Sequence, residues 1–211
     1  MIIALDGTLA SGKGTIAKRL CAYFGLPYMD TGRLYRAAGV AATKQGTDFD
    51  DPIALADVAL TLDLNDFEEE ELRTAEAGQS ASKVAAVPEV RAALLELQRA
   101  FANQVGGAVL DGRDIGTVVC PNADVKFWIN ADVEVRAERR WKELTAKGDT
   151  LSLDEMIAQL RERDHRDKNR KDAPMIAATD AVLIDTTHLS IEAAVDKARA
   201  AVETTLSRKS S

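Results

Sequence analysis

Cysteine and histidine are scarce, with two of each in 211 residues. Cys21 and Cys120 lack C-x-x-C spacing, which excludes a thiolate metal site or a redox pair, and both read as reduced structural cysteines. His165 and His188 are too few and too far apart for an imidazole metal site and read as surface residues. No apolar run is long enough to span a bilayer, and the first residues lack the three parts of a secretory signal. The expectation is a soluble cytoplasmic protein. Internal repeats and low-complexity linkers are missing too. Positive charge is in deficit, 27 basic against 34 acidic residues for a formal charge of -7, which argues against coating nucleic acid or an anionic membrane. A local cluster of arginines can still hold a small anion.

What is present suits one globular unit with room for an inserted subdomain, since 46% of the residues are hydrophobic. "IIAL" reads as a buried strand, and Ile16, Leu20 and Phe24 follow at helical spacing, widened by Ala17 and Cys21. "PYMD" is a second strand, and "TGRLYRAAGVAATKQG" a helix whose N-cap is Asp30 or Thr31. Between residues 47 and 87 the apolar runs shorten; "VALTLDL" reads as a strand, and Glu68 to Glu71 as a solvated face or loop. A helix starts at Pro88, "AVLD" and "DVKFWIN" are strands, and "VEVRAERRWKELTA" is a helix stopping near Gly148. Ser152 and Glu155 form a capping box for a helix through Arg161, "AVLID" is the last strand, and an amphipathic helix runs from Ile191 to Val202. The alternation predicts an α/β fold with a parallel sheet covered on both faces.

The first strand runs straight into "GTLASGKGT", Gly7 to Thr15, with G-x-x-x-x-G-K spacing. Such glycines let the backbone curl its N–H groups around an anion at a helix N-terminus, and Lys13 adds a mobile charge for the outer phosphates. The residue after Lys13 is Gly14, so the usual hydroxyl arrives one place late, at Thr15. Asp111 ends the run "AVL" at the carboxyl edge of the sheet, where an acid commonly serves magnesium directly or through water; a turn or cap role is the alternative.

Arginines at loop positions point to phosphoryl transfer rather than hydrolysis alone. Arg36 and Arg113 follow strands, whose carboxyl ends form the ligand crevice of an open parallel sheet. Arg161, Arg163, Arg166 and Arg170 crowd "LRERDHRDKNRKD", where the interleaved Glu162, Asp164 and Asp167 also suit a salt-bridged helix surface. A hydrolase needs one arginine finger, whereas a transferase must also hold an anionic acceptor.

Together, "GTLASGKGT", "MDTGRLYR", "ASKVAAVPEVR", "LDGRDIGTVV", "RERDHRDKNR" and "APMIAATDAVLIDTT" resemble the bacterial cytidylate kinases over nearly the whole chain. The resemblance implies the P-loop nucleoside monophosphate kinase fold: a five-stranded parallel sheet flanked by helices, an inserted acceptor subdomain and a short lid. It divides the single domain, 1–211, into a core (about 1–46, 88–146 and 171–211), an insert (about 47–87) and a lid (about 147–170). The activity implied is transfer of the γ-phosphoryl group of ATP to CMP or dCMP, with Mg2+ as cofactor, by a monomer.

Carried over residue by residue, Gly7, Thr8, Leu9, Ala10, Ser11, Gly12, Lys13, Gly14 and Thr15 hold the ATP phosphates; the positions of Thr15 and Asp111 make them the candidates for the metal, directly or through water. Asp30, Thr31, Tyr35 and Arg36 border the acceptor, with Arg36 on its phosphate. Ser82, Arg91 and Asp114 meet the cytosine; Arg113 and Arg170 share the phosphates; Arg163 and Asp167 contact the ribose; and Arg166 is a lid arginine. A carboxylate such as Asp114 suits the amino donor of cytosine and repels the carbonyl of uracil. Thr8, Leu9 and Thr31 stand where the family often has Pro, Ser and Ser, and His165 and Lys168 replace an acid and an arginine. "LDLNDFEEEELRT" is shorter than the family's insert, which should therefore be trimmed. The rival readings are a kinase of the same fold with another acceptor, such as AMP, UMP or a small metabolite, and a nucleotide-binding module without transfer.

Overall fold

Residues 1–209 are described in the computed structural model. Five parallel strands form its central sheet: β1 (Ile2–Gly7), β2 (Tyr28–Asp30), β3 (Ala108–Gly112), β4 (Val125–Asn130) and β5 (Val182–Asp185), in the order β2-β3-β1-β4-β5. The chain leaves β1 for one side of the sheet and later crosses to the other. The switch point therefore lies where β1 and β3 end, beside Gly7 and Gly112, which is where such sheets bind ligands.

The helices are α1 (Lys13–Phe24), α2 (Thr31–Gln45), α3 (Pro52–Leu60), α4 (Ala75–Val84), α5 (Pro88–Ala102), α6 (Val133–Thr145), α7 (Leu153–Asn169) and α8 (Ile191–Lys209). Strand alternation sends Ile3 and Leu5 to one face of β1, where they pack with Phe127, with Ile16 and Leu20 of α1, and with Ala198 and Val202 of α8. Ala4 faces the other side with Leu110, Ile115 and Ala102. Emptying such fully buried positions, Leu5 to Ala for example, costs about 2–5 kcal/mol.

Between α2 and α5 the expected strand is absent. "VAL" ends α3, whose start is fixed by Asp51, which accepts from the amides of Ile53 and Ala54, and by Pro52 in the first turn. Short 3-10 turns at Leu64–Asp66 and Glu71–Arg73 lead into α4. The acidic run is not simply a solvated face: Glu69 pairs with Arg33 and Arg73, and Glu71 with Lys44. Leu34, Leu55, Val84 and Leu94 give α2 to α5 a core of their own.

Asp30 is the N-cap of α2, accepting from the amide of Arg33, while the Thr31 hydroxyl donates to the Asp111 carbonyl. The Ser152–Glu155 capping box forms as expected, but the helix it opens continues past Arg161 to Asn169. Met156 and Leu160 seat it on Ala137 and Leu144 of α6. Both cysteines are free, and His165 and His188 are exposed.

Candidate active site

The loop after β1 is shaped by its own backbone. Gly7 has φ 146°, and a Cβ there would lie 1.8 Å from the Ile129 carbonyl oxygen, so no side chain fits. Ala10 and Gly12 turn through the left-handed region at φ 61° and 89°, the kind of backbone from which anion-binding loops are made. Buried side chains fasten the loop from below: Thr8 donates to Asn130 (2.8 Å), Thr186 to the Ser11 carbonyl (2.8 Å), and Arg136 to the Leu9 carbonyl (3.3 Å). Asn130 and Arg136 carry no motif, and Thr186 lies in the "APMIAATDAVLIDTT" stretch without having been singled out.

Gly14 has a steric role. A Cβ on it would sit 3.2 Å from the Asp111 carboxylate, so any other residue after Lys13 would crowd this acid. Asp111 lies opposite Asp30 in the β2–β3 pairing and accepts from the Tyr28 hydroxyl (3.1 Å). Burial and the neighbouring Asp30 charge push its carboxyl up to about 6. Burial and the nearby Arg113 lower the Lys13 ammonium to about 7. Burial opposes ionisation of Asp30 as well, but Arg36, at 2.6 Å, and Lys13 hold its carboxyl below the ordinary value.

A cleft of about 890 Å³ opens over this loop and reaches under α4 and α7. Eight arginines line it: Arg33, Arg36, Arg73, Arg91, Arg113, Arg140, Arg163 and Arg170. Of these, Arg33, Arg73 and Arg140 were not foreseen from sequence; Arg140 reaches the Arg73 carbonyl at 3.0 Å. Most of the residues singled out from sequence meet on its walls, including Lys13, Thr15, Tyr35, Ser82, Asp114 and Asp167. Gly7, Thr8 and Ser11 lie outside the lining, with Thr8 and Ser11 buried. Arg166 is also outside it, donating instead to the Ser82 hydroxyl (2.8 Å) and to Glu162.

The far wall is a buried ionic network. Arg91 donates to the Asp114 carboxylate, to Asp172 (2.9 Å) and to the Tyr35 hydroxyl (3.3 Å), and Arg170 holds the other Asp114 oxygen at 3.2 Å. Asp167 accepts from Arg113 (3.3 Å) and lies 3.8 Å from Arg163, whose Nη1 donates to the Gly78 carbonyl. Burial and the adjacent Arg113 charge bring the Arg163 guanidinium down to about 10. The Nε atoms of Arg36 and Arg163 are buried without a hydrogen-bond acceptor. Crowded cations with unused donors describe a site built for an anion.

A phosphate loop facing such a wall admits many kinases. A family model described as Cytidylate kinase matches residues 3–204. The chain belongs to that family. It is 53% identical over 202 residues to a cytidylate kinase of Caulobacter vibrioides, covering 96% of this chain and 95% of that one. Identity to a cytidylate kinase of Cereibacter sphaeroides is 55% over 201 residues, covering 95% and 94%. Both are matched almost end to end, so the chain spans nearly the whole length of these relatives. Among solved structures, an uncharacterized protein from Eubacterium ventriosum aligns over 96% of this chain and 98% of its own with TM-score 0.57 and 13% identity, a likeness of fold alone.

Proposed function

We propose that this chain transfers the γ-phosphoryl group of ATP to CMP or dCMP, giving ADP and CDP or dCDP. The supporting observation is that, in a member of this family, a lysine-bearing phosphate loop shares one cleft with Asp114, Arg91 and Ser82. The loop holds the donor phosphates. Arg36, with Asp30, Thr31 and Tyr35 around it, takes the acceptor phosphate, while Ser82, Arg91 and Asp114 read the base and Asp167 meets the ribose. In this reading residues 47–87 form the acceptor side, 147–170 the lid, and the remainder the core.

Transfer passes through a loose transition state that needs alignment and positive charge rather than a strong base. Lys13, Arg113, Arg163 and Arg170 supply the charge, and Asp167 keeps Arg113 and Arg163 side by side. Arg166, bonded to Ser82, ties the lid to the acceptor wall. Closure excludes water and so suppresses idle hydrolysis.

Asp111 and Thr15 are oxygen donors of the kind magnesium takes, and the raised Asp111 carboxyl is relieved by a cation. Among the described residues no three His, Cys, Asp or Glu side chains cluster as a metal cage. The residues therefore fit an ion held largely by phosphate oxygens and water. Bound there, it neutralises phosphate charge.

The test is ADP formation from ATP and magnesium with CMP, dCMP, UMP and AMP in parallel. CMP and dCMP should stimulate it; no response to CMP would end this reading. Asp114→Ala should erode the preference for CMP over UMP.

A further inference from the structure

Asp6 is a buried acid that the proposed mechanism leaves unused. It precedes Gly7 at the end of β1 and is 3% exposed. Its two carboxylate oxygens accept from two successive amides, Ile115 and Gly116, each at 2.7 Å. Those amides open a short π-helical turn, Ile115–Val119, and the residue before it, in the N-cap position, is Asp114.

An aspartate in that position ordinarily folds its side chain back onto the free amides of its own helix. Asp114 makes no such bond. Its oxygens go to Arg91 and Arg170 on the cleft wall instead. The cap is supplied from another strand, 109 and 110 residues away in sequence. A carboxyl group already seated on both amides therefore blocks Asp114 from the turn by occupancy.

We propose that Asp6 is a positioning residue for acceptor selectivity: by capping the 115–119 turn in place of Asp114, it keeps the Asp114 carboxylate turned toward the base site. The inference rests on the proposed role of Asp114 in reading cytosine. Asparagine at position 6 keeps the size but accepts from only one of the two amides, and its amino group opposes the other. The freed amide then competes for Asp114.

The test compares kcat/KM for CMP and UMP in the native enzyme, Asp6→Asn, Asp114→Ala and the double variant. Asp6→Asn should lower the CMP-to-UMP ratio by roughly tenfold or more while the KM for ATP moves less than about threefold. The double variant should match Asp114→Ala, because Asp6 acts only through Asp114. If Asp114→Ala erodes the ratio and Asp6→Asn does not, this inference fails and the reading of the base site stands. An unchanged ratio in Asp114→Ala overturns both. A rise in the ATP KM as large as the loss of selectivity, or an Asp6→Asn chain that does not fold by circular dichroism, makes Asp6 a structural residue of the loop and overturns the proposal.

Discussion

Arg136 of α6 and Asp164 of α7 meet at 2.6 Å in a largely buried ion pair, and the same guanidinium reaches the Leu9 carbonyl of the phosphate loop. One arginine thus joins two helices to the donor loop. Removing the acid leaves the cation buried without its partner, a change that costs about 3–5 kcal/mol, well above the worth of a surface pair. Asp164→Ala should lose that much stability in urea denaturation. A loss under about 1 kcal/mol would show the pair to be solvated.

Gly39 of α2 sets how closely α4 approaches. A Cβ there would lie 2.7 Å from the Ser80 hydroxyl and 2.9 Å from the Ala81 amide, both on the helix that carries Ser82. Backbone cannot yield as a flexible side-chain tip can, so Gly39→Ala must push α4 outward, at about 1–3 kcal/mol. Because the proposed reading places α4 on the acceptor side, the KM for CMP should rise while that for ATP changes little. Equal effects on both would place the damage in the general fold.

How far the sequence was readable depended on whether each cause was local. The loop after β1, the five strands of the sheet and the capping box at Ser152 are written in neighbouring residues, and they stand where the pattern puts them. "VALTLDL" misled because a short apolar run does not distinguish a strand from a helix end, although Asp51-Pro52 upstream was a helix-start signal. The bonds of Glu69 to Arg33, Arg136 to Asp164 and Asp6 to Ile115 were not readable, since these partners lie far apart in the chain. The interleaved acids of α7 divide as both readings allowed: Glu162 and Asp164 are structural partners, whereas Asp167 lies on the cleft wall.

Lys13 should matter to turnover whatever the acceptor. It lines the same cleft as Asp114 and Ser82 but is carried by the loop after β1, which the proposed reading gives to the donor phosphates. If Lys13 meets the reacting phosphates as proposed, losing that charged donor costs about 10²–10³ in kcat. Lys13→Ala should show that loss with CMP and UMP alike, leaving their ratio unchanged. A change in the ratio would mean that donor and acceptor sites are not separable.

The same lysine carries a pH signature. Burial and Arg113 lower its ammonium to about 7 in the empty site, so at pH 8 the neutral amine predominates. Phosphates placed beside it favour the charged form, so ATP binding must draw a proton from solution at that pH. Asp111, raised only to about 6, is already ionised there and leaves the sign unchanged. Calorimetric titration with ATP, without magnesium, in buffers of different ionisation enthalpy should therefore report proton uptake at pH 8. Lys13→Arg keeps its charge throughout and should abolish the uptake. Zero uptake by the native chain would mean that Asp30 and Asp111 already hold Lys13 as the ammonium, with the acids outweighing burial.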